Sequence, residues 1–147
     1  MRHMHPALAG GVRKVEPMAD TDEPPIEIEH DGGQAGNPML TLANAMTRLY
    51  KELFGRGPTK VRAAFAGPDT VVVTLENTLT QAERNMVDLG DHQRLRDVRM
   101  FFQHSSEEQL KRPVEEILGR RVRAFTSGID TEADVSVETY LLEPQSR

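Results

Sequence analysis

Apolar side chains along the chain follow a helical period in one segment and alternate with polar ones in several others. In residues 38–54 they recur every three or four positions, which is typical of an amphipathic helix with one buried face. Residues 60–66 and 70–76 alternate on either side of a Gly-Pro-Asp turn, and residues 121–127 and 134–143 form a second alternating pair. The pattern therefore predicts two strand pairs, the first preceded by a helix.

A short sequence repeat marks the turn between helix and strand in both halves of the chain. Glu-Leu-Phe-Gly-Arg at residues 52–56 returns as Glu-Ile-Leu-Gly-Arg at residues 116–120. The glycine follows the last apolar position of each helix, where glycine commonly ends a helix in the left-handed conformation. The turn signature consists of four residues: Gly55, Gly57, Pro58 and Gly119.

Two helix-hairpin units of this kind can share one sheet, because a single hairpin with one helix is marginal by itself. We therefore predict an α+β fold with a four-stranded antiparallel sheet, helices on one face and a long central helix between the units. A capping box of Thr80 and Glu83 opens that central helix. The strand order cannot be read from the sequence.

The apolar stripe of the central helix changes side along its length. Ala82, Met86 and Leu89 cluster on one side at 100° per residue, and a second apolar set lies nearly opposite. We favour a continuous helix of about 24 residues with a second contact surface, since a glycine within a helix costs only about 1 kcal/mol. The alternative is a break at Gly90-Asp91. A continuous helix would present three residues to a second chain in a homodimer: Leu95, Val98 and Phe102.

Composition indicates one globular domain with an acidic N-terminal tail. The chain has 147 residues, of which 37% are hydrophobic and 28% charged, and it contains no cysteine. Residues 1–36 hold three basic and seven acidic side chains and little apolar periodicity, so we predict a disordered tail there, a domain at 37–144 and a disordered end at 145–147. The tail accounts for −4 of the net charge of −5, so the domain lacks the basic field that nucleic-acid binding requires.

The sequence offers little metal, cofactor or membrane-spanning chemistry. No apolar run approaches the roughly 20 residues of a spanning helix, and the absence of cysteine gives no sign of an oxidising compartment. His92 and His104 are twelve residues apart, too far along a helix to share a metal. We therefore predict a cytoplasmic protein without cofactor, metal or transmembrane segment.

A cluster of cations in the first turn is the main candidate binding chemistry. Arg56, Thr59 and Lys60 surround a glycine-rich turn, but the turn follows a helix, whereas phosphate loops precede one. A tight turn is the favoured interpretation; the alternative is a site for an anion or a partner carboxylate, to which the second copy adds Arg120 and Arg121. No serine has the neighbouring histidine and acid that nucleophilic catalysis requires, so no catalytic residue is predicted.

Several segments of the chain resemble the MpsC-like family, over residues 38–144. They are LYKELFGRGPTK at 49–60, VVVTLE from Val71, LTQAE at 79–83, LGRRV at 118–122 and the last VSVE. The resemblance implies a small soluble component associated with a sodium-translocating, membrane-potential-generating system linked to bicarbonate supply. It transfers no catalytic site.

From this resemblance we predict a non-enzymatic accessory or regulatory protein of such a system. It would be a homodimer in the cytoplasm, at the inner face of the membrane, with a membrane protein as partner and no nucleic acid. The alternative is a dimeric small-molecule or anion-binding module of the cytoplasm, and an enzyme ranks third.

Overall fold

The computed structural model describes residues 13–15, 26–30 and 36–146, which form an α+β fold with four helices and a six-stranded sheet. This confirms the predicted fold class. In chain order the elements are β1 (Arg13–Val15), β2 (Ile26–His30), α1 (Pro38–Phe54), β3 (Lys60–Phe65), β4 (Thr70–Glu76), α2 (Gln81–Asp88), α3 (His92–Ser105), α4 (Glu107–Leu118), β5 (Val122–Asp130) and β6 (Val135–Leu142).

The sheet is mixed and larger than the predicted four-stranded antiparallel sheet. Its strand order is β1-β2-β3-β4-β6-β5. The four strands β3, β4, β6 and β5 pair antiparallel as two hairpins side by side, whereas β2 pairs parallel with β3. The additional strands come from the segment that was predicted to be a disordered tail.

The prediction of a disordered tail is therefore wrong at β1 and β2, and the remainder of residues 1–35 lies outside the described residues. Ile28 lies opposite Val61 of β3 and is only 2% exposed, so it belongs to the core. The prediction failed because the alternating segment is short. A five-residue strand with two isoleucines among acids has too few alternations to stand out from a polar segment.

The core lies between one face of the sheet and helices α1, α3 and α4. The inward positions of β3, β4 and β6 share one face because Val61 pairs with Leu75, and Val73 pairs with Glu138. Helix α1 crosses β2 and β3 and packs against α4. Fifteen buried residues form the main core cluster, including Leu42, Met46, Tyr50, Val73, Leu110, Val114 and Tyr140.

The repeated turn has the geometry that the sequence predicts. Helix α1 is capped at its start by Asn37, whose Oδ1 accepts a hydrogen bond from the Met39 amide at 2.8 Å. It ends at Gly55, and α4 ends at Gly119, with φ angles of 77° and 63°. Both glycines adopt the left-handed conformation, and each donates its amide to the carbonyl four residues earlier.

The predicted long central helix is wrong, because the chain breaks at Gly90 into α2 and α3. Gly90 has a φ angle of 77°, its amide donates to Val87, and the Asp91 amide donates to Met86. This pair of hydrogen bonds is a Schellman motif, which satisfies the last carbonyls of α2. The break lets the two helices take different directions, so the two apolar faces do not have to share one straight axis.

Candidate functional site on helix α3

Helix α3 buries two polar side chains, Arg99 and Gln103, and exposes three large apolar ones. Its buried residues are Leu95, Arg99 and Gln103, each at most 1% exposed and spaced four residues apart along one face. Three large apolar side chains lie beside this face and are 42%, 66% and 46% exposed; we call Val98, Phe101 and Phe102 the aromatic surface. Two of the three buried positions are thus polar, whereas the buried face of an amphipathic helix is ordinarily apolar.

Arg99 is fully buried, and its charge is compensated by Glu83 of α2. Its Nε and Nη2 donate to the two carboxylate oxygens of Glu83 at 2.5 and 2.7 Å. Nη2 also donates to the Thr78 carbonyl at 2.9 Å, and the guanidinium lies 4.2 Å from the centre of the Phe54 ring. A bidentate carboxylate and an aromatic face are the partners that make burial of a guanidinium tolerable.

Glu83 has two structural roles, which connect α2 to α3. It completes the capping box of α2 by accepting from the Thr80 amide at 3.0 Å, while its own amide donates to Thr80 Oγ1. Burial by itself would raise the pKa of Glu83, but the hydrogen bonds from Arg99 and Thr80 outweigh it and lower the pKa. The carboxylate is therefore ionised and pairs with Arg99 at neutral pH.

A second buried polar cluster lies under Gln103, at the centre of the sheet. Glu138 of β6 is fully buried, and its Oε1 accepts from the Tyr50 hydroxyl and from Gln103 Nε2, the latter at 3.5 Å. Burial raises the pKa of Glu138 to about 7, although hydrogen bonds from Tyr50 and Ser127 act in the opposite direction. A carboxyl group thus lies in the core without a cation beside it.

The aromatic surface is fixed to these buried residues through Phe54 of α1. The ring of Phe102 meets Phe54 edge-on at a centroid distance of 6.4 Å, and Phe101 meets Phe102 at 5.7 Å. Phe54 in turn stacks on Arg99. These ring contacts fix the positions of the exposed rings, as in a preorganised contact surface.

The cations predicted at the first turn make contacts within the protein. Arg56 Nε donates to the Asn77 carbonyl at 3.3 Å, and Thr59 Oγ1 accepts from Asn77 Nδ2 at 3.2 Å. Lys60 Nζ lies 3.3 Å from Glu29 and 3.8 Å from Glu76. These side chains therefore have partners within the protein, on β2 and at the end of β4, and the anion or carboxylate site stays a prediction.

The turn residues Gly57 and Pro58 are also used for packing. Pro58 is buried, and a Cβ at Gly57 would lie 3.4 Å from the Thr47 carbonyl oxygen of α1. The glycine thus lets the turn approach the helix closely.

The second pair of cations lies at the opposite end of β4. Arg120 donates to the carbonyls of Pro68 and Glu143 at 2.9 and 2.8 Å and pairs with Asp69, while Arg121 is exposed. Asp69 precedes β4 and Asn77 follows it. The structure therefore does not bring the two groups of predicted cations together.

The predicted dimer contacts divide into one buried residue and two exposed ones. Leu95 is fully buried within the chain, so its prediction as a contact with a second chain is wrong; the break at Gly90 turns it inward. Val98 and Phe102 are exposed as predicted, and Phe101 joins them. Sequence reasoning missed Phe101, and the signal was present, because it lies three residues after Val98 on the same face.

The buried polar residues were also missed. The signal for Glu138 was its phase in β6, since it alternates with Tyr140 and Leu142 on the inward face. Arg99 and Gln103 gave no such signal, because charged and amide side chains on a helix are usually solvated.

The residues that the structure describes contain no group of three or more His, Cys, Asp or Glu side chains that could hold a metal ion. His92 Nδ1 lies 2.6 Å from the hydroxyl of Thr131. Within the part of the chain that the structure describes, no helix is both long and apolar enough to cross a membrane.

Comparison with known proteins identified the family. No curated protein and no solved structure matched the chain. A family model described as Na+-translocating membrane potential-generating system (MpsC) matched residues 36–144, which confirms the resemblance seen in the sequence. Because the match covers most of the chain, including the whole of α3 and both repeated turns, the protein belongs to the MpsC family.

Proposed function

We propose that the protein is a non-enzymatic accessory or regulatory protein of a membrane ion-translocating, membrane-potential-generating system, and that it docks on a membrane component through the aromatic surface. The observation that carries this proposal is the exposure of large apolar side chains on α3, a helix that buries two polar ones. Val98, Phe101 and Phe102 lie on the outside while Arg99 and Gln103 are buried. A contiguous exposed apolar patch of this kind marks an interaction site more often than a scattered exposed residue does.

The occupant of the aromatic surface is an apolar segment of a protein rather than the lipid surface. The net charge of the chain is −5, and on α3 the exposed Arg94 and Arg96 are accompanied by Asp91 and Asp97. Peripheral binding to anionic lipid relies on clusters of basic side chains, which this surface lacks. The family description supports a component of a Na+-translocating system as the partner.

We assign the protein to the cytoplasm, at the inner face of the membrane, and we assign it no catalysis. Among the described residues, Glu138 is the carboxyl group whose pKa is raised, and it is fully buried and thus out of reach of a substrate. This burial supports the assignment of no catalysis. The absence of cysteine from the sequence also agrees with a reducing compartment.

The test is affinity capture of the full chain from native membranes, followed by identification of the captured subunit. Phe101→Ala removes the most exposed ring of the aromatic surface and should lower the recovery of an ion-transport subunit about tenfold, as loss of an interface anchor does. Leu89→Ala is the matched control, because Leu89 is 84% exposed and lies outside α3. Equal recovery with both variants would exclude the aromatic surface as the docking site.

A second candidate function is a dimeric small-molecule or anion-binding module of the cytoplasm. Arg121 favours it, since this residue is exposed beside Arg120 at the end of the sheet and lines an open depression with Glu143 and Gln145. In this case the aromatic surface would be covered by a second copy of the chain.

Sedimentation velocity at micromolar concentration, combined with a phosphate titration, separates the two functions. A dimeric wild type that Val98→Glu converts to a folded monomer, with phosphate binding that Arg121→Ala abolishes, would support the second function. A monomeric wild type without phosphate binding would exclude it.

A further inference from the structure

Two unpartnered oxygen atoms face the contact between α3 and the sheet. Glu138 Oε2 and Gln103 Oε1 are both buried and have no hydrogen-bond partner, although Gln103 Nε2 lies 3.5 Å from Glu138 Oε1. Buried polar atoms are almost always satisfied, so an unpartnered pair needs an explanation. Each oxygen is an acceptor. The Ser127 hydroxyl, which is also buried without a partner and lies opposite Glu138 on β5, can donate to Glu138 Oε2, so the oxygen that still lacks a donor is Gln103 Oε1.

We propose that Glu138 carries a proton on Oε2 in the folded protein and donates it to Gln103 Oε1, forming a buried acid–amide pair that holds α3 against the sheet. The same proton then sets how firmly the aromatic surface is positioned. This second statement rests on the proposed function; the first does not.

The chemistry of an acid–amide pair accounts for both orphan oxygens at once. A protonated carboxyl group has one O–H donor and one carbonyl acceptor, and a primary amide has the complementary acceptor and donor. The N–H···O bond is the observed contact between Gln103 Nε2 and Glu138 Oε1, and the O–H···O bond joins the two remaining atoms. Exchanging the amide nitrogen and oxygen of Gln103 would instead place its oxygen 3.5 Å from Glu138 Oε1, a contact between two acceptors that only a proton could turn into a hydrogen bond.

The groups that face Glu138 give no alternative source of positive charge. Tyr50 of α1 donates a hydrogen bond to it, and Tyr140 lies two residues further along β6. Ser127 of β5 and Val73 of β4 lie directly opposite it on the neighbouring strands. Helix α4 contributes Leu110 and Val114 to the same core. The nearest cation along α3, Arg99, is one turn away and is paired with Glu83. In the described part of the chain no ion pair involves Glu138.

Loss of the proton would turn this attraction into a repulsion. A carboxylate at Glu138 would place its charge against the carbonyl oxygen of Gln103, with both groups removed from water. Helix α3 would loosen at Gln103, one residue from Phe102 of the aromatic surface. The burial that raises the pKa of Glu138 to about 7 places this change within the neutral range.

Hydrogen exchange of the isolated full chain tests the proton assignment without any partner. Between about pH 5 and about pH 8.5, protection of the α3 amides should fall roughly tenfold after correction for intrinsic exchange, because the folded state loses a bound proton that the unfolded state does not hold. Glu138→Gln keeps a donor in place of the acid and should make this protection independent of pH. Glu108→Gln, an exposed acid on α4, is the control and should behave as wild type.

A titration of the Glu138 carboxyl by 13C NMR gives a second measurement that does not depend on the stability of a variant. It should show one transition near pH 7. Gln103→Leu should leave α3 poorly protected at both pH values, since it removes the partner of the proton. A Glu138 carboxyl that is ionised at about pH 5 would overturn the assignment.

Hydrogen exchange in two different salts distinguishes a proton at these oxygens from a bound cation. Equal concentrations of NaCl and KCl should protect α3 equally, and protection by NaCl alone would overturn the proposal in favour of a sodium site. If the assignment of the proton to Glu138 is wrong, the proposed docking is not affected, because capture through the aromatic surface is measured separately with Phe101→Ala.

Discussion

At the scale of the residue, two ionisable side chains, Arg99 and Glu138, are fully buried. Each lies in the core, but their environments differ. Arg99 has a bidentate carboxylate and an aromatic ring, whereas Glu138 has only neutral donors. Because no cation offsets the burial of Glu138, burial raises the pKa of this carboxyl group.

Replacing Arg99 by alanine should destabilise the protein by about 3 to 5 kcal/mol, because it leaves the partly buried Glu83 without its cation and Phe54 without its covering group. Urea unfolding monitored by circular dichroism measures the change. Arg96→Ala on the exposed face of the same helix should change stability by less than about 0.5 kcal/mol. Similar losses for the two variants would contradict a specific role for the Arg99–Glu83 pair.

The titration of Glu138 should make stability decrease as pH rises. Its pKa is about 7 in the folded protein, against an ordinary value of 4.5, so the folded state binds the proton more tightly than the unfolded state. The resulting stabilisation, about 3 kcal/mol, is fully present below the unfolded pKa and is lost as pH rises through the folded pKa.

Measuring the free energy of unfolding of wild type and Glu138→Gln across this range tests whether the contribution of Glu138 to stability falls as pH rises. The difference between them should change most between the two pKa values, 4.5 and about 7. A wild type whose stability rises relative to the variant over that interval would show that Glu138 is ionised in the fold.

At the scale of the element, glycines in the left-handed conformation decide where helices end. Gly55, Gly90 and Gly119 all have positive φ angles, and each terminates a helix or follows its last residue closely. The sequence identified the first and last of these from the repeat. It misjudged Gly90 because a single glycine within an apolar stripe is compatible with either a continuous or a broken helix.

Gly55→Val and Gly119→Val should each destabilise the protein by more than about 1 kcal/mol, since a β-branched residue resists a positive φ angle. An added Cβ would meet nothing within 4 Å at either position, so the loss would come from the backbone and not from a clash. Thermal unfolding of both variants provides the measurement.

Gly128→Val in β5 is the matched control for these two substitutions. A Cβ there also meets nothing within 4 Å, but the backbone is extended and lacks the positive φ angle. Valine should therefore be neutral or stabilising at this position. If all three variants lost the same stability, the explanation from helix termination would be wrong.

At the scale of the whole molecule, the N-terminal segment contributes to the domain. Ile28 is packed in the core, and β2 pairs with β3 along its length. Lys60 and Arg62 of β3 also pair with Glu29. The segment that the sequence assigned to a disordered tail thus extends the sheet beyond the region of apolar alternation.

Deleting residues 1–35 should destabilise the protein by about 2 kcal/mol or more, because it exposes the core beside Ile28 and leaves β3 as an open edge. Deleting residues 1–12, which precede both described strands, is the matched control. Unfolding by urea compares the two truncations with the full chain. Unchanged stability after the longer deletion would show that β2 contributes no net stabilisation.

The sequence by itself determined the local features: the α+β class, the two hairpins, the capping box of α2, the glycines that end α1 and α4, and the family. These depend on periodicity and on turn residues within short segments, where backbone geometry and side-chain burial follow from neighbours in the chain. For the same reason the apolar alternation placed Val61, Ala63, Val71, Val73 and Leu75 inward, although Phe65 at the end of β3 is exposed.

Only the tertiary structure decided which face of α3 is buried, where β2 lies and whether Glu138 has a charged partner. Leu95, Val98 and Phe102 have similar hydrophobic character, yet only Leu95 is buried, because the turn at Gly90 fixes the direction of α3. The burial of Arg99 depends on Glu83, sixteen residues earlier, and that of Glu138 on Tyr50, 88 residues earlier. Such contacts join distant parts of the chain, and no local pattern of apolar and polar residues encodes them.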